Sequence, residues 1–441
     1  MKRFNSGLST FSMELACAAV ALGAVTCAPV PTRSLPAVAP KPAPAVNWLS
    51  KNPQGELVLP RSVEVHLTDL DGAMSLSIKR GSKDALLVAP LGAGVAKAVE
   101  TDSEDPNFGA PAERIQINGP VEIDGRTHRG LLTVERHPLA GLRASVSLPL
   151  ETYIAGVVAA ELPIWSAHPA ELEALAIAAR TFSVSAIAKR RQDGEPARLT
   201  DGVMDQAYRG SYLGAESSGA QAVADRLHAA VERTAGFVVV RGDRLEETRY
   251  HASCGGHTAN FADVFEPEVV RYDAHGPTGV PCGPCAERAA EEQAQRGPDA
   301  QRPLSWVTIV DPAALAQAGA KLGLGGAIQE LEPTRKDSAG RWLEVRVASD
   351  SQSKTLRFDE LRAALGYTSW KSGMIDAMNP AAGTSLSNGT SLRVQGRGRG
   401  HGVGLCQEST RDYARAGWSA EQILKHYYPG TQVQRIERAV P

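Results

Sequence analysis

The chain has 441 residues, with 47 Lys and Arg against 49 Asp and Glu, for a formal net charge of −2 at pH 7. This length can bury a large core and hold two or three domains. The near balance of charge, with no long basic block, speaks against a nucleic-acid partner.

The N-terminus reads as an export signal over residues 1–27: Lys2 and Arg3 lead into a mostly apolar stretch from Leu15 to Val25, with Glu14 at its edge. That stretch is too short to span a bilayer as a stable helix. The segment GAVTCAPV around Cys27 resembles a bacterial lipoprotein cleavage site, in which the cysteine is lipidated, although Thr26 fits poorly before it. The expectation is export to the cell envelope or periplasm, with a lipid anchor on the membrane as one form of it. Residues 28–58, opening APVPTRSLPAVAPKPAPAV, read as an extended Pro/Ala-rich linker.

Residues 59–145 carry short alternating runs such as SVEVHLTDL, SLSIKR, RIQI and GLLTVER, and with ASVSLPL at their end they predict a β-rich region. A helix is predicted from Pro149, because Leu150, Tyr153, Ile154, Val157 and Val158 make one apolar stripe. Pro163 closes it, since the residue before a proline is pushed out of the helical region. Glu161 lies eleven positions after Leu150 and falls on the same stripe, at the last turn. There the negative end of the helix dipole and partial desolvation both disfavour the ionised carboxylate. A carboxyl kept protonated near neutral pH is what a general acid needs. The plain alternative is a fraying helix end whose Glu turns to water.

A second helix begins with Pro169 at its first position and traces a face through Leu172, Leu175, Ala176, Ala179, Phe182, Ser183, Ala186 and Ile187. Arg180 stands beside that face, placed either to reach inward toward a carboxylate or to snorkel to water. AVADRLHAAVERTAG predicts a third helix ended by Gly236, and FVVVRG with LEETRYHAS predicts two strands joined by a turn. Strands in SWVTIV, RWLEVRVAS and KTLRF and helices in DPAALAQAGAKLG and DELRAALG follow, then two last helices near 408–416 and 419–427. Strands and helices mixed without a regular βαβ rhythm indicate an α+β fold, with residues 146–436 as its larger domain.

Cysteine and histidine spacing adds a metal reading. His251, Cys254 and His257 in YHASCGGHT, with Cys282 and Cys285 in PCGPC, supply one tetrahedral set of His251, Cys254, Cys282 and Cys285, a donor mix that selects zinc. His257 is a fifth candidate for four places. A closed set of this kind is structural. The alternative is a disulfide, between Cys282 and Cys285 or involving Cys406, which an exported protein permits. The run GRGRGHGVGLCQ lacks the Gly-Lys-Ser/Thr ending of a phosphate loop. Its glycines at 396, 398, 400, 402 and 404 instead let the backbone approach something closely, with His401, Cys406 and Gln407 projecting as polar contacts.

Taken in order, LPLETYIAGVVAAELP, ALAIAARTFSV, DQAYRG, AVERTAG, YHASCGGHTANFADVF, SWVTI, GRGHGVGLCQ and AGWSAEQILKHYYPGT resemble the SpoIID/LytB family of bacterial cell-wall proteins over roughly residues 130–432. The resemblance implies a SpoIID-like catalytic domain acting as a peptidoglycan lytic transglycosylase, with Glu161 at the position of the family's catalytic acid. It implies a single carboxyl that protonates the glycosidic oxygen and then accepts a proton as the muramic 6-hydroxyl closes onto the anomeric carbon, giving a 1,6-anhydro end. One conspicuous acid, rather than a flanking pair, agrees with that chemistry. Arg180, Gln206, Tyr208, His401 and Gln407 are then expected in the substrate groove, with zinc structural. A second reading is a non-catalytic glycan-binding enhancer of a cell-wall amidase, and a third is a zinc hydrolase with His251 and His257 holding an activated water. The sequence departs from the family at Leu175, where Gln is common, at Cys406, where Ser is common, and at Glu408 and Ser409, where Gly-Ala is common.

Overall fold

The structure is a computed structural model that describes residues 50–51, 57–80, 84–91, 95–100, 112–212, 218–268, 276–295, 305–386 and 389–436. The signal segment, Cys27 and most of the linker lie outside the described residues. At the linker's end Ser50–Lys51 pairs antiparallel with Leu57–Val58. Among the described residues no helix is long and apolar enough to cross a membrane.

The β-rich region forms two five-stranded sheets. In one, Ser62–His66, Leu142–Pro149, Leu131–Arg136 and Arg114–Asn118 lie side by side in antiparallel pairs. Its alternation puts Val63 and Val65 inward with Leu132, Val134, Ala144, Val146 and Leu148, all buried. Arg198–Thr200, far along the chain, adds a parallel edge strand to Ser62–His66. The boundary read at 145/146 therefore falls within the strand Leu142–Pro149, and a single core runs from Leu59 through both sheets to the helices and on to Ile436.

Helix α1 (Leu150–Glu161) leaves that strand without a loop, and its predicted stripe of Leu150, Tyr153, Ile154, Val157 and Val158 is buried throughout. Gly156 is buried too, because a Cβ there would stand 2.6 Å from the Tyr208 ring and from the Gly210 carbonyl. Gly156→Ala is therefore expected to cost about 1–3 kcal/mol by overpacking, read as a lowered denaturation midpoint in urea with an unchanged slope. Helix α2 (Pro169–Gln192) packs against α1, helix α3 (Ser218–Arg233), strand Phe237–Arg241 and the two C-terminal helices Gln407–Arg415 and Ala420–Tyr427. Its alanines at 174, 176, 178 and 179 are all fully buried, so neighbours close in on every side and not only on the face predicted.

The C-terminal part holds a further core around Trp306, Trp342, Phe358 and Trp370, between the sheet Ser305–Val310, Leu392–Arg397, Ile375–Asn379 and the sheet Glu330–Lys336, Trp342–Ala348, Ser353–Arg357. Glu330–Lys336 contains Pro333 and is tolerated as an edge strand with a register break between Pro333 and Arg335. The strand expected in LEETRYHAS stops after Leu245, and Tyr250–His251 pairs instead in parallel with Leu405–Cys406. Helices and sheets are mixed along the chain as expected, and the fold is α+β.

Candidate active site

Three remote segments meet at Glu161, the last residue of α1. The Ala207 N–H donates to its Oε1 at 3.0 Å and the Gln407 side-chain amide donates to its Oε2 at 3.0 Å. The side chain is half-buried, and burial pushes its pKa above the usual carboxylate range. The Gln407 and Ala207 hydrogen bonds and the Arg209 guanidinium pull in the opposite direction without cancelling that effect. The result is a fixed, partly exposed carboxyl whose neutral form persists to higher pH than in water.

The donors are held in turn. Gln407 opens the helix Gln407–Arg415 directly after Leu405–Cys406, whose parallel pairing with Tyr250–His251 anchors the turn. Ala207 lies between Gln206 and Tyr208, and both are locked. The Gln206 amide donates to Ser183 Oγ at 2.9 Å and to Tyr153 Oη at 3.2 Å, while its carbonyl accepts from Tyr250 Oη at 2.8 Å. Tyr208 is fully buried, tilted against Tyr153 with ring centroids 5.4 Å apart. Gln206 and Tyr208 thus stand behind the acid as supports, not in a groove, because their polar atoms are satisfied within the protein. Gln407→Leu removes one donor that favours the charged form, so the Glu161 pKa is expected to rise further; carboxyl titration by NMR reads the shift, and an unchanged or lowered value contradicts the geometry.

Two further groove expectations are corrected. Arg180 is completely buried and grips Glu151, from Nε at 3.1 and 3.2 Å and from Nη2 at 2.6 Å, while Nη1 donates to the Phe237 carbonyl at 3.0 Å. It does reach a carboxylate, but at the opposite end of α1 from Glu161. His401 accepts from the Val403 N–H at Nδ1 and packs edge-on against His251 and Phe265, so its half-buried ring is held in an aromatic cluster beside a small cavity lined by Arg341, Trp342 and Phe358. The glycine run approaches this chain itself: a Cβ on Gly400 would meet the His251 Cβ, one on Gly402 the Arg341 guanidinium, and one on Gly404 the Arg249 carbonyl. All three have positive φ, between 71° and 101°. Close threading of 398–405 along 249–255 is what delivers Gln407 to Glu161.

The metal set also changes by one member. Cys254, Cys282, Cys285 and Cys406 are buried with their sulfurs within 4.8 Å of one another, and none is joined in a disulfide. Ser409 Oγ lies 2.9 Å from Cys282 Sγ and from Cys285 Sγ, and the Cys254 N–H donates to Cys406 Sγ at 3.4 Å. His251 stands outside the set, with Nδ1 against the Val403 carbonyl at 3.0 Å and its pKa lowered to about 4 by burial. His257 is turned to the Thr258 carbonyl. Among the described residues no histidine joins a group of three or more metal-ligating side chains. Four soft sulfurs at these separations suit a closed tetrahedral site. Cys406, read from sequence only as a disulfide candidate or a polar contact, is the fourth thiol that completes the set.

Comparison with known proteins agrees with this core. Residues 140–240 match the model of the SpoIID family, described as stage II sporulation protein. The chain is 26% identical over 302 residues to stage II sporulation protein D of Bacillus subtilis (strain 168), covering 66% of this chain and 76% of that protein. The corresponding protein of Bacillus amyloliquefaciens is 24% identical over 301 residues, with the same two coverages. The amidase enhancer of Bacillus subtilis (strain 168) is 26% identical over 305 residues, 63% of this chain and 39% of that protein. The family span runs from the strand that feeds α1 to the strand Phe237–Arg241, and so contains Glu161, the loop that clamps it and the whole of α2. By that shared core the chain is similar to the SpoIID family over residues 140–240.

Proposed function

We propose that this protein is a peptidoglycan lytic transglycosylase, cleaving glycan strands between amino sugars with 1,6-anhydro-muramic ends, in remodelling of the cell wall. The observation that carries the reading is Glu161: one carboxyl, fixed by two donors, with burial favouring its protonated form. The Arg209 guanidinium also acts on it, against the effect of burial. Hydrolytic glycosidases work with two carboxyls flanking the bond, whereas an intramolecular attack by the sugar's own 6-hydroxyl needs only one. Glu161 donates its proton to the bridging oxygen as the bond breaks, and the carboxylate so formed takes up the 6-hydroxyl proton as that oxygen closes the anhydro ring. Protons balance within the residue, and no water is consumed.

The test is incubation of the purified protein with isolated glycan strands, intact and amidase-treated, followed by mass spectrometry of the ends. Anhydro ends support the reading; hydrated reducing ends refute it. The relative named amidase enhancer favours a second reading, a glycan-binding module acting with a cell-wall amidase, for which binding without cleavage is the expected result. Export to the envelope, with or without a lipid on Cys27, would put either activity beside its substrate.

Zinc is the ion that suits Cys254, Cys282, Cys285 and Cys406. A closed four-thiolate set leaves no position for substrate or water, so its part is to hold Cys406, and with it the adjacent Gln407. Elemental analysis is expected to give about one zinc per chain, lost in Cys406→Ser and retained in His251→Ala. Retention in the first variant with loss in the second would restore the ligand set expected from sequence.

A further inference from the structure

Seven large hydrophobic side chains stand open to solvent among the described residues: Met74, Leu139, Trp165, Val203, Met204, Val307 and Ile309. Three of them, Trp165, Val203 and Met204, come from the two segments that the Glu161–Ala207 hydrogen bond brings together. Trp165 follows Glu161 by four residues, and Val203 and Met204 precede Ala207 by four and three. Four residues reach at most about 14 Å, so each of these side chains is rooted near the acid.

Both segments are rigid where they carry these groups. The Ser166 N–H closes a turn on the Pro163 carbonyl at 3.0 Å, and Arg226 donates to the Ile164 and Trp165 carbonyls at 3.3 and 3.2 Å. Ile164 is buried beside them, yet the Trp165 side chain is left 71% exposed. On the other segment the Asp205 N–H closes a turn on the Gly202 carbonyl at 3.1 Å. The Asp205 carboxylate ties that turn down, accepting from Arg190 at 2.8 Å and from the Thr200 N–H at 2.7 Å. Val203 and Met204 are left 80% and 76% exposed. An exposed apolar group on a floppy loop is unremarkable. Backbone turns held by hydrogen bonds, which leave an indole and two aliphatic chains open to water within four residues of a clamped carboxyl or of its donor, are different, because water gains nothing from such groups and a ligand does.

Sugar rings supply the complementary chemistry. A pyranose presents C–H groups on its faces and hydroxyls around its rim, so an indole covers a face and leaves the rim to polar partners, at little conformational cost to the protein. We propose that Trp165, together with Val203 and Met204, is the platform on which the rings of the glycan strand stack as they enter the site, which makes Trp165 a substrate-binding residue for an N-acetylated amino-sugar polymer. This rests on the glycan reading of the Glu161 site and adds the surface that recognises the strand.

Binding can be read without turnover. In a Glu161→Gln background, titration with a β-1,4-linked N-acetylglucosamine oligosaccharide is expected to perturb tryptophan fluorescence, because among the described tryptophans Trp306, Trp342 and Trp370 are buried and Trp418 is half-buried and stacked on Tyr413, whereas Trp165 stands open to solvent. Adding Trp165→Ala is expected to abolish the spectral change and weaken affinity, measured by calorimetry, about tenfold. Trp165→Phe is expected to recover most of the affinity, which a loss of general structure would not allow. The platform is overturned if the oligosaccharide fails to bind the Glu161→Gln protein, if it binds without disturbing the fluorescence, or if Trp165→Ala binds it equally well. A protein that binds in this way yet forms no anhydro ends would sink the transglycosylase reading and leave the platform standing, so the two fail separately.

Discussion

Glu161→Gln is expected to lower the rate of anhydro-end formation by about 10²- to 10⁴-fold, the range for loss of a positioned general acid–base group, with the fold unchanged. The amide matches the carboxyl in shape but has no acidic proton to give. Two donors face the side chain, the Ala207 N–H and the Gln407 amide. In the variant the new amide oxygen can keep the Ala207 bond, and Gln407 can turn its own carbonyl toward the new NH₂, so both contacts survive with one donor reversed. Stability carries a second signature. Because burial raises the Glu161 pKa, the carboxyl's contribution is fully present below its unfolded value of 4.5 and is lost as pH rises through the folded value. Gln does not ionise, so the variant should lose less stability than the parent over that pH interval. Parallel denaturation midpoints from acid to neutral pH, or near-parental turnover, would each count against the assignment.

Arg180→Met is expected to cost about 3–5 kcal/mol of folding stability, the range for removing one partner of a buried ion pair. The loss combines a Glu151 carboxylate deprived of its main cation with a Phe237 carbonyl deprived of its donor. Pairing it with Glu151→Gln should recover part of the loss, since the uncompensated charge is then gone. Urea denaturation of the two single variants and the double variant measures this coupling. The folded fraction of Arg180→Met should keep its glycan affinity, because Arg180 contacts the first turn of α1 and Glu161 is its last residue. A loss of affinity with stability unchanged would return Arg180 to the groove in which the sequence reading put it.

The difference between those two residues shows how far the chain can be read without coordinates. Glu161 was legible because its signal is local: an apolar stripe of helical period, a proline that ends it, and an acid at the eleventh step on the same face. The strands from Ser62 to Pro149 and the two C-terminal helices were legible for the same reason, since burial on one face leaves a period of 2 or 3.6 in the sequence. Helix α2 gave only part of its environment, because a helix packed on all sides needs small residues everywhere and therefore loses the one-sided pattern. Arg180, Gln206 and Tyr208 were placed near the right carboxyl-bearing helix, but residue type does not say whether a polar group faces a ligand or a buried partner.

What the sequence by itself determined is the α+β character, the helix that ends in a poised acid and the recurrence of thiols in one region. Tertiary structure alone decided the rest: which residues clamp the acid, where Arg180 spends its charge, and that Cys406 rather than His251 stands with the other three sulfurs. The physical reason is separation along the chain. Gln407 and Glu161 are 246 positions apart, and Cys254 and Cys406 are 152 apart. Such contacts leave no periodicity in either segment; they arise only when the glycines at 400, 402 and 404 let one strand thread closely past another.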